Sequence, residues 1–457
     1  MVGLAVRESK QTAGFGLAGD GSVAFHSGMK YAWLLWCGSL AAWAIDGDEV
    51  ATRVAAIEPQ VTAWRHHLHA HPELSDAEEQ TAAYVAAHLQ RLGMEVTTGV
   101  GGHGVVGVLR GGQPGPVVAL RADMDGLPVT EQTGLPYAST VRTLYNGSEV
   151  GVMHACGHDA HMAILLGAAE VLAGLRDELP GTVKFIFQPA EEGAWPAETW
   201  GAKRMIAEGV LETPKVDAIF GLHVWSSLPS GVIAVRPGPV MASSDFLRIT
   251  VTGEQTHAAA PWAGIDPITV SAQIILGVQT VASRQVRILG SPSIVSIGTI
   301  DGGDRNNIIP DQVVMTGTIR TFDPEVRAAY HEKVTRTAER IAEASGAKAE
   351  VYIGADTGYA ATINDVALTE RMMPVLQEAA GEGRLVTADL TTGSEDFSFF
   401  QEKVPGLFFF LGVTPPEMDP DTAPANHSPR FVVDDDALAT GVRAMVGVAV
   451  DYLQGTE

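Results

Sequence analysis

The chain has 457 residues and a formal net charge of −24, with 46% hydrophobic and 18% charged residues. That length exceeds one ordinary core and predicts about two folded domains. The acid excess repels phosphate backbones and excludes nucleic acid as a partner. The two cysteines, Cys37 and Cys156, cannot supply a disulfide framework.

Residues 1–28 are Gly-rich and show no periodicity. Met29-Lys30 then leads into the apolar run Tyr31–Ile45, and Ala42-Trp43-Ala44 fits an A-x-A cleavage site. The run holds about 15 apolar or small residues, short of the ~20 that a membrane span needs. It reads as a secretory signal peptide, with translation starting at Met29. The expected location is periplasmic or secreted, with no stable membrane span after cleavage. Cys156 is then the one cysteine left, and a lone thiol in an exported protein suggests metal ligation.

Residues 47–92 predict two helices separated by a turn. Pro72 stops the first, and Ser75 with Glu78 three residues on forms a capping box for the second. His66, His67, His69 and His71 crowd the first helix without an H-E-x-x-H pattern, so a structural role is expected. From Val105 short apolar runs predict buried strands. A helix over Ala163–Leu175 and a strand over Val183–Phe187 continue the alternation. This pattern gives an α/β fold, a mainly parallel sheet with helices on both faces.

The style changes near Pro237–Ala242. Strands at Phe246–Thr252, Val295–Ile300, Val313–Arg320 and Ala349–Ile353 alternate with helices at Ile265–Gln285 and Pro324–Ser345. This β-α-β-β-α-β order predicts an inserted ferredoxin-like α+β module. A helix over Asp365–Ala379 and a strand over Gly406–Leu411 resume the first pattern. The expected organisation is therefore an upstream extension and signal peptide (1–45), a catalytic domain in two parts (46–240 and 356–457) and a lid or dimerisation domain (241–355).

The chemistry concentrates in Met153–His161, MHACGHDAH. On a helix Cys156 and His158 would point about 200° apart, so a shared centre requires a loop. Thiolate and imidazole suit zinc and similar ions. In FIFQPAEEG, Glu191 and Glu192 follow a buried strand, where parallel sheets bind ligands. Adjacent residues point differently, so one can bind metal while the other serves as a base. His223 is expected after the apolar strand of AIFGLHVW, and His427 in the loop ANHSPRF. Each is weak alone; together they predict one metal centre.

These motifs resemble the hippurate hydrolase, N-acyl-amino-acid amidohydrolase and indoleacetyl-amino-acid hydrolase family, within the dimetal aminoacylase and carboxypeptidase-like group. The resemblance runs from about Val54 to Val446. It includes LHAHPELS, LRADMDGLPV, RNNIIPD, GTIRTF and GSEDFSFF. It implies two divalent ions, zinc first and manganese second, held by Cys156, His158, Glu192, His223 and His427, with Cys156 bridging. It also implies Glu191 as general base, Asp125 as the acid that orients a ligand, and His257 as a polarising group reaching a neighbouring site. Asn307 and Arg320 match substrate contacts, Arg320 as a carboxylate clamp. GEQTHAAAPW departs from the Gly-rich family form around His257. Glu395 and Asp396 are expected beside the site, shaping the substrate pocket.

The implied reaction is hydrolysis of an N-acyl or N-aroyl amino acid, hippurate-like or an ochratoxin-like aromatic amide, by a homodimer or higher homo-oligomer formed through the lid. The alternatives are a dipeptidase or aminopeptidase of the same group, and a non-catalytic periplasmic metal- or solute-binding protein.

Overall fold

A computed structural model describes residues 45–193, 199–287, 289 and 291–455. The expected signal segment, Met29–Ala44, lies outside the described residues.

The described chain opens with helices α1 (Gly47–Ala70) and α2 (Glu79–Arg91), then strands β1 (Glu95–Val100), β2 (Gly104–Arg110) and β3 (Gln113–Asp123). A hairpin of β4 (Arg142–Tyr145) and β5 (Ser148–Gly151) precedes α3 (His158–Gly174), β6 (Pro180–Gln188), α4 (Gly201–Ala207), β7 (Ala218–Pro229), β8 (Ile233–Val235) and β9 (Gly238–Met241). The next segment holds β10 (Ser244–Thr252), β11 (Thr256–His257), α5 (Pro267–Thr280), β12 (Ser293–Asp301), β13 (Ile308–Ile309), β14 (Gln312–Thr321), α6 (Pro324–Ala344) and β15 (Lys348–Tyr359). The chain closes with β16 (Thr362–Asn364), α7 (Val366–Ala380), β17 (Leu385–Thr387), α8 (Phe397–Gln401), β18 (Gly406–Thr414) and α9 (Asp436–Gln454).

The larger sheet has eight strands in the order β1-β2-β6-β3-β7-β18-β8-β17. Its centre, β6-β3-β7-β18, is parallel. The pairs β1–β2, β2–β6 and β18–β8 are antiparallel. Alternate residues of one strand enter two different cores. Phe185 and Phe187 join the cluster that α1, α3 and α9 cover, while Ile186 joins the cluster with Met205 of α4 and Phe400 of α8. Helices thus cover both faces, which explains why β6 and β18 read as continuous apolar runs. Because β3, β6 and β7 run parallel, Asp123 at the end of β3 and Glu191 just past the end of β6 come to one edge, where His223 projects from within β7.

The second sheet has the order β12-β14-β10-β15, with every neighbouring pair antiparallel. Helices α5 and α6 close one face over Leu247, Ile249 and Met315, with Tyr330 of α6 in the same core. This is the ferredoxin-like arrangement. Strand β15 continues beyond the expected domain boundary at 355 to Tyr359.

Two local expectations fail. Ser75 caps no helix, because its hydroxyl donates to Asp125 at 2.6 Å. The α2 N-terminus is held by Glu73 instead, which accepts from Thr81 N at 2.8 Å and Gln80 N at 3.2 Å. A longer carboxylate side chain reaches the same orphan N–H groups from outside the first turn. His223 does not follow its strand but lies within it, because β7 keeps pairing with β18 past His223 as far as Pro229.

The α1 histidines are structural, as expected. His69 Nδ1 meets Asp159 at 2.9 Å and Nε2 meets Glu131 at 3.2 Å, while His66 meets Asp435 at 2.7 Å. Burial pulls the His69 pKa down, but Asp159 and Glu131 outweigh it and raise it to about 9. A raised histidine pKa adds stability that is complete below the unfolded value near 6.5 and lost as pH rises through 9. His69→Phe should therefore lose on the order of 3 kcal/mol below pH 6.5. Its melting-temperature gap from the wild type should narrow between pH 6.5 and 9; a gap that ignores pH would show a neutral His69.

Candidate metal centre

Cys156 and His158 meet one centre through a turn, not through a helix face. Gly157 has φ +95°, a conformation that glycine adopts freely. A Cβ there would sit 2.2 Å from the Val224 side chain. The turn leaves Cys156 outside the helix and makes His158 the first residue of α3. His427 is placed from another direction, with φ +71° and its N–H donating to Ala155 O at 2.7 Å. Asn426 fixes that loop by donating to Cys156 O at 3.0 Å and Val224 O at 3.1 Å. A non-glycine residue held in this region marks a constrained functional loop.

The Cys156 sulfur lies 3.3 Å from His223 Nε2 and 3.2 Å from His427 Nε2, and His427 Nε2 lies 3.0 Å from Glu192. Two ligand-distance groups share that sulfur: Cys156 with His158 and His223, and Cys156 with Glu192 and His427. His158, Glu191 and Glu192 form another group. The structure therefore brings together all five expected ligands and Glu191.

The hydrogen bonds turn the right atoms to the centre. His223 Nδ1 donates to Val224 O at 2.7 Å, and His158 Nδ1 to Asp125 O at 2.8 Å, so each ring has its Nε2 left for the cluster. His158 Nε2 is buried with no hydrogen-bond partner. Burial lowers the His158 pKa, but Asp123 and Asp125 overcome it and hold it near 10, so the pocket favours positive charge at this place. Burial and the neighbouring Glu192, Glu191 and Asp123 push the Cys156 thiol far up. A thiol surrounded by carboxylates ionises only beside a cation. The soft and borderline donors with an excess of negative charge fit divalent ions of the zinc type.

Asp125 organises the two carboxylates. Its oxygens accept from Glu191 N at 3.1 Å, Glu192 N at 3.0 Å and the Ser75 hydroxyl, and one lies 3.2 Å from His158 Nδ1. Glu191 itself is buried beside Glu395 and Asp396. Burial, then Glu395, Glu192 and Asp396, raise its pKa well above the usual carboxylate range. Arg121 balances this cluster, contacting Asp123 at 2.6 Å and Glu395 and Asp396 at 2.9 Å each.

Arg320 on β14 donates to Ser394 at 3.2 Å, next to Glu395 in the chain, and forms no ion pair among the described residues. An ordinary surface ion pair does not account for it. His257 and Asn307 lie together on the lid, where Ala258 N donates to Asn307 O at 3.1 Å. Both are exposed, and among the described residues neither is hydrogen-bonded to the cluster around Cys156.

Sequence reasoning missed two supports. His161 Nδ1 meets Asp123 at 2.6 Å and its Nε2 accepts from Val224 N at 2.8 Å, locking β7 beside His223. Its spacing of three from His158 on one helix was the available signal. The Tyr359 hydroxyl donates to the carbonyl of Glu191, a contact no local pattern announces.

A mixed-sheet α/β domain with a cation-seeking cluster where its parallel strands end, carrying a ferredoxin-like module, defines a hydrolase of amide or peptide bonds. The chain belongs to peptidase family M20/M25/M40, whose profile matches residues 119–451. It is 42% identical over 406 residues to thermostable carboxypeptidase 1 of Saccharolobus solfataricus, covering 89% of this chain and 98% of that one. It is 39% identical over 402 residues to N-acetylcysteine deacetylase of Bacillus subtilis, covering 87% and 98%. A solved Bacillus subtilis structure described as a dinuclear metal binding peptidase of the M20 family superposes with a TM-score of 0.73 at 37% identity, covering 88% of this chain and all of that one.

If Asp125 sets the ligand geometry, Asp125→Asn should weaken divalent-ion affinity by about 10–100-fold. Competition with a chelator measures this, and circular dichroism checks the fold. Unaltered affinity would remove Asp125 from the centre.

Proposed function

We propose that the protein is a dimetal amidohydrolase that cleaves N-acyl or N-aroyl amino acids to a carboxylic acid and a free amino acid. The observation that carries this reading is the Cys156 sulfur shared by two ligand groups beside the buried Glu191. Cys156, His158, Glu192, His223 and His427 would hold two divalent ions, zinc or manganese. Bound there, the ions would polarise the amide carbonyl and acidify water.

The remaining steps fall to the chain's own groups. Glu191 accepts a proton from the attacking water as its oxygen bonds to the carbonyl carbon. The carbon–nitrogen bond then breaks, and Glu191 passes that proton to the departing amine. Burial and the neighbouring acids raise the pKa of this carboxyl, and the positive charge of bound ions would lower it, so that Glu191 starts as the carboxylate that accepts the proton. Arg320, which forms no ion pair among the described residues, would bind the substrate carboxylate.

His257 and Asn307 would act on the site of a second copy. The edge strand β12 of the lid exposes Ile294 and Ile300, a surface suited to pairing between two chains. Export rests on the Met29–Ala44 segment; separately, no helix among the described residues is long and apolar enough to cross a membrane.

Glu191→Gln should keep both ions, counted by metal analysis, while kcat on N-acyl amino acids falls at least about 1,000-fold. A variant that still turns over normally would end this assignment. Zinc or manganese added back to chelated wild type should restore activity.

A further inference from the structure

A cavity of about 560 Å³ borders Glu192 and Gly193 and extends beneath the β4–β5 hairpin. Leu74, Leu127, Pro128, Leu144, Tyr145 and Val152 contribute its apolar lining. The charged groups around it are committed elsewhere. Glu73 caps α2, and Arg142 pairs with Glu149 at 3.3 Å. The Ser75 hydroxyl is also taken, by Asp125. Arg142 is the one Lys or Arg side chain among the described lining residues, and Glu149 holds it.

The surroundings of Glu191 differ from those of Glu192. Glu191 faces Glu395 and Asp396, and Ser394 beside them holds Arg320. An N-acyl amino acid has one end of each kind: a carboxylate on the amine side of the scissile bond and a hydrocarbon group on the acyl side. The neighbours Glu191 and Glu192 thus mark two directions, the anionic end toward Arg320 and the acyl end toward the cavity.

The hairpin adds a second observation. Asn146 and Gly147 turn it with positive φ, and it exposes Leu144 at 77% and Tyr145 at 44%. Neighbouring exposed apolar side chains at the mouth of a cavity mark a binding surface. The volume lies in the range of pockets that enclose ligands far larger than an acetyl group.

We infer that this cavity is the acyl site, and that the hairpin selects apolar acyl groups larger than acetyl, such as medium-length alkanoyl or aroyl groups. This assignment rests on the amidohydrolase reading. Each buried CH₂ is worth roughly fourfold in binding, so the preference should be measurable by kinetics.

The test uses the metal-loaded enzyme with N-acetyl, N-hexanoyl and N-benzoyl derivatives of glycine and of phenylalanine. Wild type should favour hexanoyl and benzoyl over acetyl by at least about tenfold in kcat/KM. Leu127→Trp, which fills the cavity, and Leu144→Asp, which makes its mouth polar, should each cut that ratio about tenfold or more, with melting temperatures confirming the fold. A wild type without acyl preference overturns the assignment, as do variants that slow all substrates equally. Variants that instead change the choice between glycine and phenylalanine show that the cavity holds the amino-acid side chain, which also overturns it. Each of these outcomes leaves the amidohydrolase reading standing. Hydrolysis of none of the six compounds overturns both.

Discussion

The site depends on the carboxylate of Asp125. That one group accepts the N–H bonds of Glu191 and Glu192, takes the Ser75 hydroxyl and lies against His158. It thereby fixes four things at once: the direction of the base, the direction of its neighbouring carboxylate, the loop before α2 and the ring of a ligand histidine. Adjacent residues diverge by geometry alone. What Asp125 adds is a common anchor, so the divergence has one fixed value. Ala190, held at φ +53°, has its own N–H bound by Glu78 at 2.8 Å. The loop between Gln188 and Gly193 is therefore held on several sides rather than folded by local preference.

Charge is the second constraint. Asp123, Asp125, Glu191, Glu395 and Asp396 are all buried near one another, and Arg121 is the guanidinium among them. Burying so many carboxylates with one balancing cation is unfavourable. The consequences are visible in the protonation. Burial, with the neighbouring acids, raises Glu395 to about 8 against the pull of Arg121, and Asp396 to about 6. Divalent ions among Cys156, His158, Glu192, His223 and His427 would supply the missing positive charge.

The proposed ligand set was legible in the sequence because Cys156, Glu192 and His427 lie in turns or loops that apolar runs make recognisable, whereas His223 lies within β7 and His158 opens α3. The ferredoxin-like order was legible for the same reason, since period-2 strands and long helices alternate clearly from Phe246 onward. The supporting contacts were hidden because they join residues far apart in the chain. Ser75 looked like a helix cap because capping is local, yet its partner is Asp125, fifty positions on. Arg121 and Asp123 share one strand face, a spacing of two that could have suggested a pair. The links from Arg121 to Glu395 and Asp396 require the assembled fold. The β4–β5 hairpin escaped notice because TLYNGSEV is short and packs against no regular pattern, although Asn146-Gly147 is a strong turn signal.

Tyr359 shows why the lid cannot be treated as a separate cover. It ends β15, the last strand of the lid sheet, and its hydroxyl holds the carbonyl of Glu191. Arg320 also belongs to that sheet, and it reaches across to Ser394 beside the Glu395–Asp396 cluster. Ser243 and Thr321 bind each other at 2.8 Å where these strands leave the catalytic sheet. Any rotation of the lid sheet must therefore move the proposed carboxylate clamp and pull on the backbone of the proposed base together.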